Sequence, residues 1–277
     1  MGWVIGSIAA LIAGVILFFV MPFSKTKKSF ERDVQKHSEQ CLAQSGVFSE
    51  QEIAPLPEPV QRYFRAAGYI GKPKRTGMTA FMRAVPLKDS KEKPPMIVDY
   101  TLRVFVHTPV RLAYIKTSMF GIPFEAYDSS QNGVGFMKGA LGKLFTLFNQ
   151  TGPEMDKGQL LTFLGECPLL PSAILGEYIT WEPIDANHAK ATIACEGVSG
   201  SGIFTFSDTG FVQSFTTDER GRIGTDGSTD YPGWSIVYED YAEENGVYIP
   251  KSVQAVWHED DGDLVYFDAK NFDVTFD

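Results

Sequence analysis

From Thr76 onward the chain alternates between apolar and polar positions. Met78, Ala80, Met82 and Ala84 alternate with more polar neighbours, and Met96, Val98, Tyr100, Leu102, Val104 and Val106 alternate against Asp99, Thr101 and Arg103. A period of two turns one set of side chains to a buried face, so both stretches predict half-buried strands. Lys88 to Pro95 between them is charged, contains proline and reads as a loop. Thr108-Pro109 turns the chain into strands at Arg111 to Met119 and Phe124 to Tyr127, and Asn132-Gly133 predicts a hairpin before Val134 to Met137.

The same rule returns at Tyr178. Strands are predicted over Tyr178 to Ile184, His188 to Glu196, Gly202 to Ser207 and Phe211 to Thr217, then over Trp234 to Glu243, Val247 to His258 and Asp263 to Phe276. Asn245-Gly246 and Asp261-Gly262 tolerate positive φ at both central turn positions, which predicts two-residue hairpins and hence a meander. Gly139 to Gly176 breaks the pattern. There Leu141, Leu144, Phe145, Leu147 and Phe148 are spaced as on a helix, and so are Leu160, Leu161, Phe163 and Leu164 beyond Gly152-Pro153. Helices inserted midway into an antiparallel sheet must cover one of its faces or fill its concavity. A further short helix is predicted from Leu56 to Gly68, with Val60, Tyr63 and Phe64 on one face. The fold class is therefore mainly β (α+β): one large, curved, half-barrel-like antiparallel sheet with a few short helices.

The N-terminus follows neither pattern. Trp3 to Phe23 carries no charged side chain, and as a helix it would reach about 30 Å, the thickness of a bilayer's hydrocarbon core. A cleaved signal peptide wants a basic start and small residues at the cut, and neither is present. Residues 1–23 are thus expected to form a single-pass transmembrane anchor, 24–54 a polar juxtamembrane helix or spacer, and 55–277 the β-sheet domain. Lys25, Lys27, Lys28 and Arg32 follow the span, which by the positive-inside tendency would keep the domain in the cytoplasm.

Composition narrows the function. A formal net charge of -9 with no basic stripe excludes nucleic acid as a partner. Cys41, Cys167 and Cys195 are an odd, widely spaced set that predicts neither a disulfide framework nor a metal site. No cofactor is expected, and no GxSxG, HExxH, P-loop or GxGxxG motif occurs. The acidic run Glu259, Asp260, Asp261 and Asp263 beside His258 reads as a solvated turn, and Arg62 and Arg65 either clamp an anion or pair with nearby acids. Glu166, directly after the second helix, is the one carboxylate in strongly apolar surroundings; it either partners the helix end or stays exposed, or is buried with a raised pKa and a catalytic role. An enzyme would need Glu166, Arg222, Asp128 or His258 to converge in one pocket. Asp218 to Gly233, a long loop containing Arg220 and Arg222, is where ligand contact is expected first.

Leu56-Pro57 with Pro59-Val60-Gln61-Arg62-Tyr63-Phe64, the stretch Glu166-Cys167-Pro168 to Pro171 leading to Trp181, and Gly246 to Pro250 followed by Trp257 resemble a bacterial membrane-anchored domain family of unknown function, from about Ala54 to the C-terminus. Asn245-Gly246-Val247-Tyr248-Ile249-Pro250, opening a late strand, is also similar to the LolA-like lipoprotein-carrier half-barrels. That second resemblance implies an exported sheet curved around a helical plug, with acyl chains held in the cavity. The expected function is a membrane-anchored β-domain that binds a lipid or other apolar ligand. Tyr114, Phe163, Trp181, Phe204, Phe206 and Trp257 are expected to line the ligand site, with Arg222 in contact. The alternatives are an enzyme acting on a membrane-derived substrate and a protein-interaction scaffold at the membrane.

Overall fold

A computed structural model of the chain describes residues 2–21, 23–41, 46–224 and 226–277. Met1 and Pro22 of the expected anchor, residues 42–45 of the expected spacer and Thr225 of the long loop lie outside the described residues. Four helices come first: α1 (Gly2–Val20), α2 (Lys25–Gln40), α3 (Glu50–Ile53) and α4 (Glu58–Ala66). Six strands follow: β1 (Gly77–Leu87), β2 (Met96–Phe105), β3 (Val110–Met119), β4 (Ile122–Gln131), β5 (Val134–Leu141) and β6 (Phe145–Thr151). Helix α5 (Pro153–Glu166) and two 3-10 turns lead to β7 (Ile179–Pro183), β8 (His188–Cys195), β9 (Val198–Phe206) and β10 (Val212–Thr217). The short pair β11 (Arg222–Ile223) and β12 (Thr229–Asp230) precedes β13 (Trp234–Glu244), β14 (Val247–Glu259), β15 (Gly262–Lys270) and β16 (Asp273–Phe276).

All but β11 and β12 join one antiparallel sheet, in the order β6-β5-β4-β3-β2-β1-β15-β14-β13-β10-β9-β8-β7, with β16 also on β1. The curvature follows from what α5 touches. It packs on β5 and also on β9, nine strand steps apart, a distance of about 43 Å in a flat sheet at ~4.8 Å per step. One helix about 10 Å wide cannot bridge that distance, so the sheet wraps around it. At one end the two limbs meet: the β4–β5 turn at Gly133 lies against the backbone of Cys195, where a Cβ would come within 2.9 Å of the carbonyl oxygen. A register break in β1, at Ala84 (φ 51), is a bulge that adds bend to a long strand. The core is continuous from α4 through α5 to both limbs of the sheet.

Asn132-Gly133 and Asn245-Gly246 both take positive φ and close two-residue hairpins, as their sequences predict. The next hairpin is displaced by one residue. Glu259 pairs with Gly262, the central residues are Asp260-Asp261, and Gly262 (φ 115) takes the strained position just beyond.

The helix predicted over Leu141 to Phe148 is a hairpin. β5 and β6 pair through Leu141–Phe145 and Gly139–Phe148, while Gly142 (φ 59) and Lys143 (φ 66) form the turn. The helix-like spacing mixed two strand faces and a turn tip, and Leu144, Phe145 and Leu147 are exposed. By contrast the helix read from Leu160 to Leu164 is the middle of α5, buried almost throughout.

The expected spacer holds a docked helix. Ser24 caps α2 by accepting from the Lys27 amide at 2.9 Å, and Phe30 packs between Tyr114 and Tyr127 on the outer face of β2 to β4. His37, near the C-terminal end of α2, is buried and sits 2.7 Å from Gln131 Oε1. The expected crossing over 1–23 is corrected to a narrower statement. α1 is an uncharged helix of 19 residues with Trp3, Ile5, Leu11 and Leu17 exposed, and its rise of about 28 Å stops short of the ~30 Å hydrocarbon core. Among the described residues no helix is long and apolar enough to cross a membrane.

Candidate functional site

Strand parity decides which side chains enter the hollow of the sheet. On β3, Arg111, Ala113 and Ile115 face inward toward α5, and Leu112 and Tyr114 face outward under α2. On the neighbouring strands Tyr100 and Asp128 share the inward face. α5 supplies Gln159, Thr162 and Glu166, spaced to lie along one side of the helix.

These groups converge on one cation. The Arg111 guanidinium, with only 3% of its side chain exposed, donates from Nε to Glu166 Oε2 at 2.8 Å and from Nη2 to Glu166 Oε1 at 3.0 Å. It also donates from Nη1 to Asp128 Oδ2 at 2.8 Å and to Gln159 Oε1 at 3.3 Å, and from Nη2 to the Tyr100 hydroxyl at 2.5 Å. The two-point fork is the strong geometry for an arginine and a carboxylate. Burial raises the Glu166 pKa, against the pull of Arg111, and burial also lifts the Tyr100 phenol. Asp128 Oδ1 is buried with no hydrogen-bond partner among the described residues.

Beside the cluster lies a cleft in two chambers. The inner chamber, about 130 Å³, has apolar walls from Leu87, Ile115, Ile236, Val253 and Phe267, and Arg111, Asp128 and Glu166 at its polar end. The outer chamber, about 150 Å³, opens past Gln150, Glu154 and Ile223. Met137, Gln159, Arg220 and Tyr266 line both. At this junction the Arg220 guanidinium lies 4.5 Å from the ring centre of Trp234 and 4.9 Å from that of Trp257, and its Nε donates to Thr162 Oγ1 at 3.1 Å. Tyr266 stacks on Trp257 and accepts from Trp234 Nε1 at 3.0 Å, which fixes both indoles.

Of the residues singled out in the sequence, Trp257 and Arg222 line the outer chamber; Arg222 is held by Asp230 at 2.6 Å and by Glu259. Phe163, Phe204 and Phe206 are fully buried in the core, with Phe204 packed on Trp181, Phe206 and Phe215. Trp181 lines a separate shallow groove with Leu56 and Leu175, and Tyr114 faces α2, its hydroxyl donating to Glu125 at 2.8 Å. Arg62 and Arg65 are engaged by Glu58 and Glu50. A second shallow groove of about 310 Å³ runs past Phe48, Tyr69, Leu170 and Phe276. Lys72, Arg75 and Glu244 line one groove and Glu52, Lys74 and Glu177 the other, but neither holds a buried arginine forked to a carboxylate, as the interior cleft does.

Glu166 and Asp128 therefore converge, Arg222 reaches the same cleft's mouth, and His258 lies elsewhere. His258 Nε2 sits 2.7 Å from Ser235 Oγ and its Nδ1 2.8 Å from Asp263 Oδ1, an order of groups that activates a serine in hydrolases. Ser235, however, is 4% exposed and alternates with Trp234 and Ile236, so it lies on the face of β13 opposite the hollow. It is paired on both sides by Thr216 and Val256, so the ladder occupies the backbone donors that an oxyanion would need. Arg111 and Arg220 were not singled out as site residues. The signal was a lone arginine and a lone aspartate on the otherwise apolar face of two adjacent strands.

A comparison with curated proteins finds no match. Among solved structures the chain is similar to a LolA superfamily protein from Nitrosomonas europaea, at 10% identity and a TM-score of 0.39, over 79% of this chain and 93% of that one. It is also similar to a domain of a putative outer membrane lipoprotein-sorting protein from Vibrio parahaemolyticus, at 10% identity and a TM-score of 0.37, over 73% and 85%. A family model matches residues 46–269, most of the chain, and by that match the protein belongs to the family of unknown function DUF6544.

Proposed function

We propose that this protein holds a lipid or similar apolar ligand in the hollow of its sheet, beside a membrane. The observation that carries the reading is the two-chambered cleft, with aliphatic and aromatic walls and a few polar groups converging at one end, the composition expected of a ligand site. Arg111, Glu166 and Asp128 serve as the fixed floor of that site. They are locked to one another, so their role is to shape the chamber and hold α5 against the sheet.

The membrane part of the proposal rests on α1. Its exposed apolar surface has no protein partner of matching size among the described residues. The C-terminal end of α1 meets the sheet where Lys143 donates to the carbonyls of Phe18, at 3.2 Å, and Met21. Phe19 and Ile122 flank Gly142 at the same end, and the exposed side chains of Phe120, Leu144 and Phe145 sit on the adjoining turns. Several apolar tips gathered around the foot of an apolar helix suit a headgroup layer.

Native mass spectrometry of the full chain released from detergent tests the ligand reading. A retained lipid that is lost when the chamber junction is filled by Met137→Trp supports it. A bare chain in every preparation, together with no uptake of a fluorescent fatty acid, overturns it.

A further inference from the structure

The arginines of the described residues sort into two kinds. Arg32, Arg62, Arg65, Arg103, Arg111 and Arg222 each hold a carboxylate within 3.2 Å. Arg75, Arg83 and Arg220 form no ion pair among the described residues; Arg75 and Arg83 are exposed, whereas Arg220 is half-buried and lines both chambers of the cleft. Of its five N–H donors, one is taken by Thr162, and the Nη groups have no protein partner there. A half-buried guanidinium that no carboxylate touches directly is costly, and two indole faces with the more distant Glu166 offset only part of that cost. What would complete it is a planar or tetrahedral anion that accepts two parallel hydrogen bonds.

Its position specifies the rest of the ligand. Arg220 stands at the junction of the chambers, so an anion bound there has apolar walls directly ahead of it at Leu87, Ile115, Val253 and Phe267. Together the chambers fall just below the ~300 Å³ at which drug-sized pockets begin, room for one short alkyl chain and too little for two. We infer that the cleft takes a single-chain amphiphile with an anionic head, a carboxylate or a phosphate monoester, docked on Arg220. The inference rests on the ligand-holding reading above and names the ligand's class.

The test uses the full chain in nanodiscs, with empty nanodiscs subtracted, titrated calorimetrically with decanoate, decyl phosphate, decanol and decylamine. The two anions are expected to bind at least tenfold more tightly than decanol, with decylamine weakest. In Arg220→Gln the anions should fall to the level of decanol measured in the same variant, with a cooperative melting transition showing that the variant has kept its fold. Arg220→Lys should recover part of the preference. Equal binding of decanol and decanoate, or an anion preference that survives Arg220→Gln, overturns the inference and leaves the ligand-holding reading standing. Inorganic phosphate competing as well as decyl phosphate overturns it too, by making Arg220 a free-anion site. If none of the four binds beyond the empty nanodisc, the ligand-holding reading itself fails.

Discussion

Arg111 and Glu166, 55 residues apart in the chain, meet in a buried two-point fork of 2.8 and 3.0 Å that ties β3 to the last turn of α5. The plug is thus fastened to the sheet by charge where it borders the cleft, and by apolar packing along the rest of its length. An all-apolar contact could hold the helix as firmly. A polar floor additionally keeps one end of the chamber wettable, which suits a guest with a head and a tail.

Replacing Arg111 by Met leaves Glu166 and Asp128 buried beside a thioether. A loss of about 3–5 kcal/mol is expected in denaturant unfolding, the usual cost of stranding a buried charge. Neutralising the partners as well, in Arg111→Met with Asp128→Asn and Glu166→Gln, should recover most of that loss. A cost below about 1 kcal/mol for Arg111→Met alone would show that the fork is not what fastens α5.

Acid and base act on Glu166 in a definite order. Burial raises its pKa above the ordinary value of 4.5, so the folded chain keeps this proton longer than the unfolded one. The stability it contributes is full below that ordinary value and is lost as pH rises through the folded value. The groups facing it are Arg111, Asp128, Arg220, Tyr238 and Cys167. Asp230 and Glu259, lowered by hydrogen bonds from Arg222, act in the opposite sense and lose their contribution as pH falls. Melting of wild type and Glu166→Gln between about pH 4 and pH 8 separates the two. Relative to the variant, wild type should lose stability as pH rises. A constant difference would contradict the raised value.

Gly135 is a point of close approach between α5 and the sheet. Its amide donates to Asp156 Oδ1 at 2.7 Å, and a Cβ there would lie 2.5 Å from the Met155 carbonyl oxygen, a backbone atom that cannot swing aside. Gly135→Ala should cost about 1–3 kcal/mol and raise hydrogen exchange in the first turn of α5. Unchanged exchange there would mean that the helix has slack against β5.

Phe120 occupies a left-handed turn position (φ 52) and is fully exposed, a costly place for an aromatic unless something covers it. Phe120→Asn should therefore stabilise the turn by about 1 kcal/mol in unfolding while weakening contact with a bilayer. A nitroxide at Phe120→Cys, in the full chain in nanodiscs, should be shielded from aqueous relaxation agents. Full aqueous access would place this end of the sheet away from the membrane.

Much of this fold was legible along the chain because its signals are local. Asn132-Gly133 and Asn245-Gly246 specify their turns, and the alternation from Met96 to Val106 specifies a strand whichever strand it pairs with. The β5–β6 hairpin was hidden because its turn residues Gly142-Lys143 fall inside an apolar run that matches a helical period by coincidence. The site was harder to see for a reason of parity. Both faces of β3 are covered, one by α5 and one by α2, so Tyr114 and Arg111 look equally eligible until the partner layers are known. A one-residue shift in that choice exchanges the two faces. Arg220 could be narrowed to a long loop but not told apart from Arg222, since only the fold reveals that Asp230 and Glu259 hold Arg222 while no carboxylate among the described residues ion-pairs with Arg220.

The most direct measurement is photo-crosslinking of the full chain in nanodiscs with a short fatty acid carrying a diazirine on its chain, followed by peptide mapping. Label on the residues around Met137, Trp234 and Tyr266, competed by decanoate and reduced in Arg220→Gln, is the expected result. Label confined to α1 and the exposed tips near Phe120 and Phe145, with none in the hollow, would contradict the claim that the sheet encloses a ligand.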